Sequence, residues 1–490
     1  MAEEQQSYRQ IMKATSLFGG VQVFNIIIGI IRSKFIAVLL GPAGMGVAGL
    51  LTSTINLITS FTNLGLSTSA VKNVSEANAS DDKERVATVV AVINRLVWIT
   101  GIIGAGVTFL LAGLLSKMAF GNYVYTGAFR WVSVTLLLTQ LSSGRLVVLQ
   151  GMRKLQYLAK ANMAGSVTGL LVSIPVYYWL GVKGIVPAIV ISAFITLGIT
   201  LYFSHKVKIN KAILTSAIVK AEGSGMLKMG VMLSLSGLIS MAAAYLLGVF
   251  ISKHGGVEQV GLYNAGFAIV NTYVGMIFTA MATDYYPRLS AVAGDNSKAA
   301  LLINQQAEIA VLIVAPILII FMVFINAVVI VLYSSKFLAI NEMIQMVALG
   351  IILKTVTWSM GFIILAKGDS KTFFYSELVS NIYTLGLNML FFKLYGLNGI
   401  GISFLVCYFL GMIQVYVITH IRYRFTFEQE FYKIFFFNLL LAVSCFLLVR
   451  YFTGVYRYIF TAPLLILAVI FSFSQLNKKM NLVAIVRQRF

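Results

Sequence analysis

The side chains best placed to do chemistry are cations buried in apolar sequence. Arg32 lies nine residues before Gly41 in the first apolar run, Arg95 about nine residues into the third, and Lys354 near the middle of the tenth. A lone basic residue at the centre of a helix in lipid costs roughly 2.5–3.5 kcal/mol by insertion scales. A charge at such depth implies a water-filled cavity, a counter-ion or a bound anion. Arg32 and Lys354 are therefore the leading site candidates, with Arg95 intermediate in depth. Arg130 and Arg145 stand within about two turns of a span end and can snorkel to the interface.

Polar residues accompany these charges. Gln22, Asn25, Gly29 and Arg32 recur at spacings of 3, 4 and 3, which places them on one helical face, with Lys34 off it. The second span carries Thr52, Asn56, Thr59, Ser60, Asn63 and Ser67, most of them along one face. That face reads as a cavity wall. The competing reading is hydroxyls bonded to their own backbone or to a neighbouring helix. Asp284, Glu308 and Glu377, near span ends, either bind a coupling cation, proton or sodium, or pair with nearby Lys and Arg; pairing is the favoured reading.

Hydrolytic chemistry is poorly supplied. His205, His254 and His420 sit at helix ends or in loops, and Cys407 and Cys445 lie inside apolar runs, where they read as small core residues. The stretch Gly44-Met-Gly46-Val-Ala-Gly49 formally fits a dinucleotide fingerprint, but it joins two apolar spans and follows no strand. No Walker A sequence occurs. The chain is expected to be no enzyme, with no catalytic residue, metal site or cofactor.

Such residues must be positioned by helices in a bilayer. The chain of 490 residues is 59% hydrophobic and 11% charged, so water is not its main solvent. The net charge of +21 is spread between apolar runs rather than gathered on one domain, which argues for topology and against a nucleic-acid partner. A hydrocarbon core of about 30 Å takes roughly 20 apolar residues per helix. Runs of that length fall near 14–40, 46–71, 86–115, 127–150, 157–180, 184–204, 229–252, 262–287, 301–332, 343–366, 372–393, 398–420, 433–452 and 458–476. The fold class expected is all-α, a polytopic membrane protein of about 14 transmembrane helices. With the N-terminus inside, 24 Lys and Arg fall in cytoplasmic segments and 7 in the opposite loops, so both termini are assigned to the cytoplasm. The polar, acidic opening, residues 1–13, is no signal peptide.

Features before the basic stretch 205–228 recur after it at a nearly fixed offset. Gly181-Val-Lys-Gly184-Ile matches Gly396-Leu-Asn-Gly399-Ile, and Asn56 matches Asn271 at the same separation. The organisation expected is a cytoplasmic N-terminus (1–13), a six-helix bundle (14–204), a basic cytoplasmic linker (205–228) and a second bundle (229–420). Two extra helices (433–476) and a cytoplasmic tail (477–490) follow. Six spans per unit is an even number, so the repeats are parallel, an arrangement of transporters with a substrate path between bundles.

Several stretches are similar to one family. Lys34-Phe-Ile-Ala-Val-Leu-Leu-Gly41-Pro42-Ala-Gly44, Val260-Gly-Leu-Tyr-Asn264, Asp284-Tyr-Tyr-Pro287-Arg288-Leu-Ser290, Leu332-Tyr-Ser-Ser-Lys336-Phe and Ala366-Lys367 together resemble the polysaccharide flippases, the O-antigen and enterobacterial common antigen translocases. These belong to the multidrug/oligosaccharidyl-lipid/polysaccharide exporter superfamily. The resemblance covers residues 10–425. It implies a multi-pass protein of the bacterial inner membrane that moves an undecaprenyl-diphosphate-linked oligosaccharide from the cytoplasmic to the periplasmic leaflet by alternating access. Such a cargo implies cations for its diphosphate, which Arg32, Lys354 and Arg95 would supply through charge-assisted bonds, and amides for its glycan, which Asn25, Asn56, Asn63 and Asn271 would supply. Its partners would be that substrate, membrane lipids and a coupling cation, and a monomer is expected. Arg32 falls where related lipid II flippases place a basic residue. Ser33 and Ser60 depart from their pattern, which argues against a peptidoglycan precursor. The alternative is a cation-coupled multidrug exporter of the same superfamily, which would need buried acids where this interior is net basic. A membrane polymerase or ligase would need a long periplasmic loop that the spans do not leave.

Reporters fused after Lys220 or Arg489 should read as cytoplasmic, and reporters after Lys117 or Lys336 as periplasmic. A periplasmic signal at Lys220 would overturn both the orientation and the parallel repeat.

Overall fold

A computed structural model describes residues 2–480 apart from 81, 211, 213 and 272–274. Side chains are described from Gly20 onward, except at 229, 232, 233, 236, 283 and 480. Arg9, Lys13, Lys211, Arg487 and Arg489, five of the 24 Lys and Arg assigned to cytoplasmic segments, lie outside those described side chains. Among the described residues the protein is all helical. In chain order the helices are α1 (Ala2–Asn63), α2 (Leu66–Ala79), α3 (Lys83–Leu110), α4 (Ala112–Phe120), α5 (Thr126–Gly151), α6 (Leu155–Leu180), α7 (Ile185–His205) and α8 (Ser216–Ile269). They continue as α9 (Gly275–Ala291), α10 (Asn296–Val323), α11 (Ile325–Leu332), α12 (Asn341–Ala366), α13 (Ser370–Tyr423), α14 (Gln429–Tyr451) and α15 (Gly454–Met480). Ten stretches among them are long and apolar enough to cross a membrane. This is a polytopic membrane protein.

Three of those stretches, of 44, 51 and 54 residues, are more than twice the roughly 20 residues a crossing takes. Each turns back at a glycine with positive φ: Gly41 (φ 68°) in α1, Gly181 (φ 57°) between α6 and α7, and Gly396 (φ 59°) in α13. Every backbone amide in lipid needs a partner inside the chain, so irregular backbone has to be kept very short. Glycine reaches left-handed φ without a Cβ penalty. The eighth expected span, 262–287, is not whole in any of the ten; it runs through the end of α8, past 272–274, into α9.

The offset between the halves is also written in the backbone. Gly41 pairs with Gly256 (φ 83°), Gly181 with Gly396, and Arg153 (φ 55°) with Gly368 (φ 67°), all at one separation. The bounds of α5 and α12 stand at that same separation at both ends. At the equivalent hairpin turns, a Cβ on Gly184 would overlap the carbonyl oxygen of Val176, and one on Gly399 that of Phe391.

The chain forms two compact units, residues 1–261 and 262–490. The sequence division expected at 205–228 thus precedes the packing division, because α8 is held against α1. A Cβ on Gly46 would overlap the carbonyl oxygen of Val257, one on Gly261 that of Pro42, and one on Gly65 that of Gly230. Within the same unit, Leu66, Val74, Ile93, Val97 and Val147 pack a core from α2, α3 and α5, with Met226 of α8 added to it. The start of α8 is also clamped to α3, where Arg85 donates two hydrogen bonds to the Glu222 carboxylate, at 2.6 and 2.9 Å. That guanidinium holds the Glu222 carboxyl below its ordinary range. A depressed carboxylate stabilises the fold above its unfolded pKa, so the clamp is intact at neutral pH and lost as pH falls through the depressed value.

In the second unit α12 is the most enclosed helix, buried along most of its length against α10 and α13. Asn304 of α10 ties down the segment after α13: its Nδ2 donates to the carbonyl oxygens of Ala300 and Thr426, at 3.0 and 3.1 Å, and its Oδ1 accepts from the Glu428 amide at 2.9 Å. Asp369 caps α13 by accepting from the Thr372 amide and hydroxyl, and it also receives the Tyr423 hydroxyl and the Arg422 guanidinium.

Replacing Asn304 with alanine leaves the Glu428 amide and the Thr426 carbonyl without their partner, a loss of about 1–3 kcal/mol for a buried polar group. Asn304→Ala should therefore lower the thermal unfolding midpoint of the detergent-solubilised protein. Gln305→Ala, on the exposed side of the same helix, should leave it unchanged.

Candidate functional site

In the first unit the polar face of α1 divides by what it bonds. Arg32 is half-buried and has no acidic partner among the described residues. Along the same helix, the Asn25 Oδ1 accepts a hydrogen bond from the Ser166 hydroxyl of α6 at 2.8 Å. Gln22 and Asn56 are exposed, and Ser60 donates to the Met241 sulfur of α8 at 3.3 Å. Asn63 is fully engaged: Nδ2 donates to the Ser67 hydroxyl and to Gln140 Oε1, at 2.9 and 3.1 Å, while Oδ1 accepts from the Ser67 amide. Gln140, only 2% exposed, extends this network to the Thr100 hydroxyl of α3 at 2.9 Å. Asn63 therefore holds α1, α2 and α5 together and has no amide group free for a sugar in this conformation.

Arg95 lies elsewhere. It is exposed on the same face of α3 as Trp98, Ile99 and Ile102, all large exposed apolar side chains. An exposed apolar helix face in a membrane protein is a lipid face, from which a long guanidinium side chain snorkels. The structure does not group Arg95 with the polar face of α1.

In the second unit Lys354 stands half-buried on α12, its Nζ 5.4 Å from the Tyr408 ring centroid and 5.9 Å from that of Phe278. Tyr263, Phe267 and Phe404 continue this aromatic wall through ring contacts. Aromatic faces attract a cation without neutralising it, and Lys354 has no acidic partner among the described residues. Asn271 is exposed just past the end of α8, where the chain takes π-helical geometry.

The three acids differ. Asp284 is exposed and pairs with Arg288 one turn on, at 3.1 Å. Glu308, 5% exposed, receives Lys479 of α15 at 2.7 Å, and Lys479 also reaches Glu430 of α14 at 3.3 Å. This ion triad joins the last two helices to α10. Glu377 is half-buried and without an ion pair among the described residues. Beside it on α13, Gln414 donates to the Ser376 hydroxyl at 2.9 Å and accepts from Ser380 at 3.3 Å, joining the two arms.

Sequence reading missed the hub role of Gln140 and the rings around Lys354. A signal for the latter exists. Gly350 lies one turn before Lys354, and a Cβ there would come within 2.7 Å of the Tyr408 ring, so a small residue four before a lysine within an apolar span marks where α13 approaches.

A helical fold with glycine-turned hairpins repeated at a fixed offset, and with polar and basic residues set along its apolar spans, defines the class of a polytopic membrane protein. Residues 35–342, more than half of the chain, match the family described as polysaccharide biosynthesis protein; the chain belongs to that family. It is 21% identical over 362 residues to the lipid III flippase of Escherichia coli (strain K12), covering 71% of this chain and 84% of that protein, with the same figures for the Shigella flexneri protein. Its fold is similar to that of the lipid II flippase MurJ in an inward closed conformation, with a TM-score of 0.68 at 12% identity over 95% of this chain and 99% of that one. It is also similar to an inward-facing multidrug resistance MATE family transporter of the MOP superfamily, with a TM-score of 0.67 at 16% identity over 82% and 94%.

In a background with Cys407 and Cys445 replaced, cysteine at Asn56 or Asn271 should react with a small membrane-impermeant thiol reagent. Cysteine at Gln140 should stay inert. Inert cysteines at both asparagines would mean that these exposed faces meet lipid rather than water.

Proposed function

We propose that this protein is a flippase for an undecaprenyl-diphosphate-linked oligosaccharide, which it moves from the cytoplasmic to the periplasmic leaflet of the bacterial inner membrane by alternating access. The observation that carries the reading is Lys354: a cation within an apolar span, faced by aromatic rings and supplied with no carboxylate among the described residues. Such a group favours an anion brought from outside. Arg32 is its counterpart in the first unit, again with no acidic partner among the described residues. A diphosphate meets that need, since its oxygens accept charge-assisted bonds from both residue types. Asn25, Asn56 and Asn271 would meet the sugars, and the lipid tail would stay in the bilayer. Membership of a polysaccharide biosynthesis family and similarity to a lipid III flippase support this cargo.

The fold alone is shared with multidrug transporters. A cationic drug needs buried carboxylates, and here Glu308 is already neutralised by Lys479. Glu377 is the carboxyl group left for a coupling cation.

The test is complementation of a strain lacking glycan export, with protein levels measured alongside. Arg32→Gln and Lys354→Gln should each insert and accumulate normally and cut export by at least tenfold, in line with about 1.5–3 kcal/mol for a hydrogen bond to a charged group. Arg32→Lys should lose less, keeping the charge and losing the fork. Normal export by the double glutamine variant would overturn the diphosphate assignment.

A further inference from the structure

Between Val86 and Ala221 the chain carries twelve Lys and Arg and not one Asp or Glu. The cations of this segment, apart from those that reach an acid outside it, must therefore be answered by something other than this chain. One of them, Lys183, lines a cavity. The first unit holds an apolar groove of about 640 Å³ at the Lys183 end of α5 and α7, walled by Val47, Leu51, Ala128, Trp131, Pro187 and Ile191. Its volume falls within the roughly 300–1,000 Å³ typical of sites for small ligands. Trp131 is 67% exposed and Ile191 42%, so the groove opens sideways on the apolar belt rather than into the protein. Lys183, exposed in the turn Gly181–Gly184, stands at its mouth. Beyond the rim, Lys117 lies over the Tyr123 ring at 5.8 Å and Arg130 over the Phe109 ring at 5.7 Å. None of the three has an acidic partner among the described residues.

We propose that this groove is a binding site for one anionic phospholipid. An acyl chain fills the apolar wall and the phosphate meets Lys183. The charge argument selects this occupant. A zwitterionic lipid would supply the chain but also bring a cation toward Lys183, whereas an anionic headgroup is the complement that this carboxylate-free segment lacks. A protein partner is disfavoured by the lining, which offers few polar groups, among them Lys183 and the Tyr125 hydroxyl, for hydrogen bonds. The site is separate from Arg32 and Lys354, and it stands or falls independently of the transport reading.

The test uses the full chain with Trp98, Trp179 and Trp358 replaced by Phe, leaving Trp131 as the only tryptophan, reconstituted in vesicles of zwitterionic phosphatidylcholine. Brominated phosphatidylglycerol or brominated phosphatidylcholine is added at equal low mole fraction. Trp131 fluorescence should be quenched about fivefold more effectively by the anionic lipid, the effect of roughly one basic residue at an anionic surface. Lys183→Gln should abolish that preference and Lys183→Arg keep it. Ala128→Phe, which fills the groove, should remove quenching by both lipids. Equal quenching by the two lipids would show ordinary contact with bulk lipid and overturn the site. A preference surviving Lys183→Gln would do the same. Absence of quenching in the parent chain would mean that another copy or a protein covers this face, and the lipid site would be lost.

Discussion

The constraint on which the rest depends is that a chain in hydrocarbon must bond every backbone amide to itself. Long helices satisfy it along their length, and the only places left to change direction are the few residues between them. Four of those places are glycines at positive φ, Gly41, Gly181, Gly256 and Gly396, followed within a few residues by Gly46, Gly184, Gly261 and Gly399, where a neighbouring carbonyl leaves no space for a Cβ. The first set makes the turn and the second lets the helices close directly after it. Because the same devices recur at one fixed offset, both halves solve the same problem with the same residues.

The second constraint is the uneven distribution of charge. In residues 262–490 carboxylates meet cations in defined places: Glu308 and Glu430 with Lys479, Asp369 with Arg422, Asp284 with Arg288. These pairs lie at helix ends or join the last two helices to α10, where they fix geometry. In the first unit the long segment without acids leaves its cations to water, lipid or cargo. Arg85, just before that segment, is answered by Glu222 just after it, and the pair anchors α8 as it closes. Lys354 stands out in the second unit because its surroundings are rings rather than carboxylates.

Polar residues inside the spans serve two purposes that look alike in one dimension. Asn63, Ser67, Gln140 and Thr100 close a network with one another, and such networks are stable only when each member is satisfied. Asn56, two turns before Asn63 on the same helix, bonds to none of them and is exposed. Packing and exposure are thus separated along a single helix by what the neighbouring helices present.

The sequence by itself determined the class of fold, because runs of about 20 apolar residues have no other stable state, and the repeat, because the glycine turns can be read as letters at a fixed spacing. It also singled out Arg32 and Lys354, since depth within an apolar run is a property of the sequence. Only the tertiary structure decided which side chains are already satisfied. Asn63 and Asn56 are equivalent by composition, and Arg95 and Arg32 by depth, yet Asn63 is closed by Gln140 from α5, 77 residues away, and Arg95 turns to the lipid face of α3. Likewise, Glu308 and Glu377 are both acids in apolar helices, and only the return of α15, 171 residues later, neutralises the first. Partners so distant in the chain follow no local period, so the identity of the free groups is fixed only once the helices have packed.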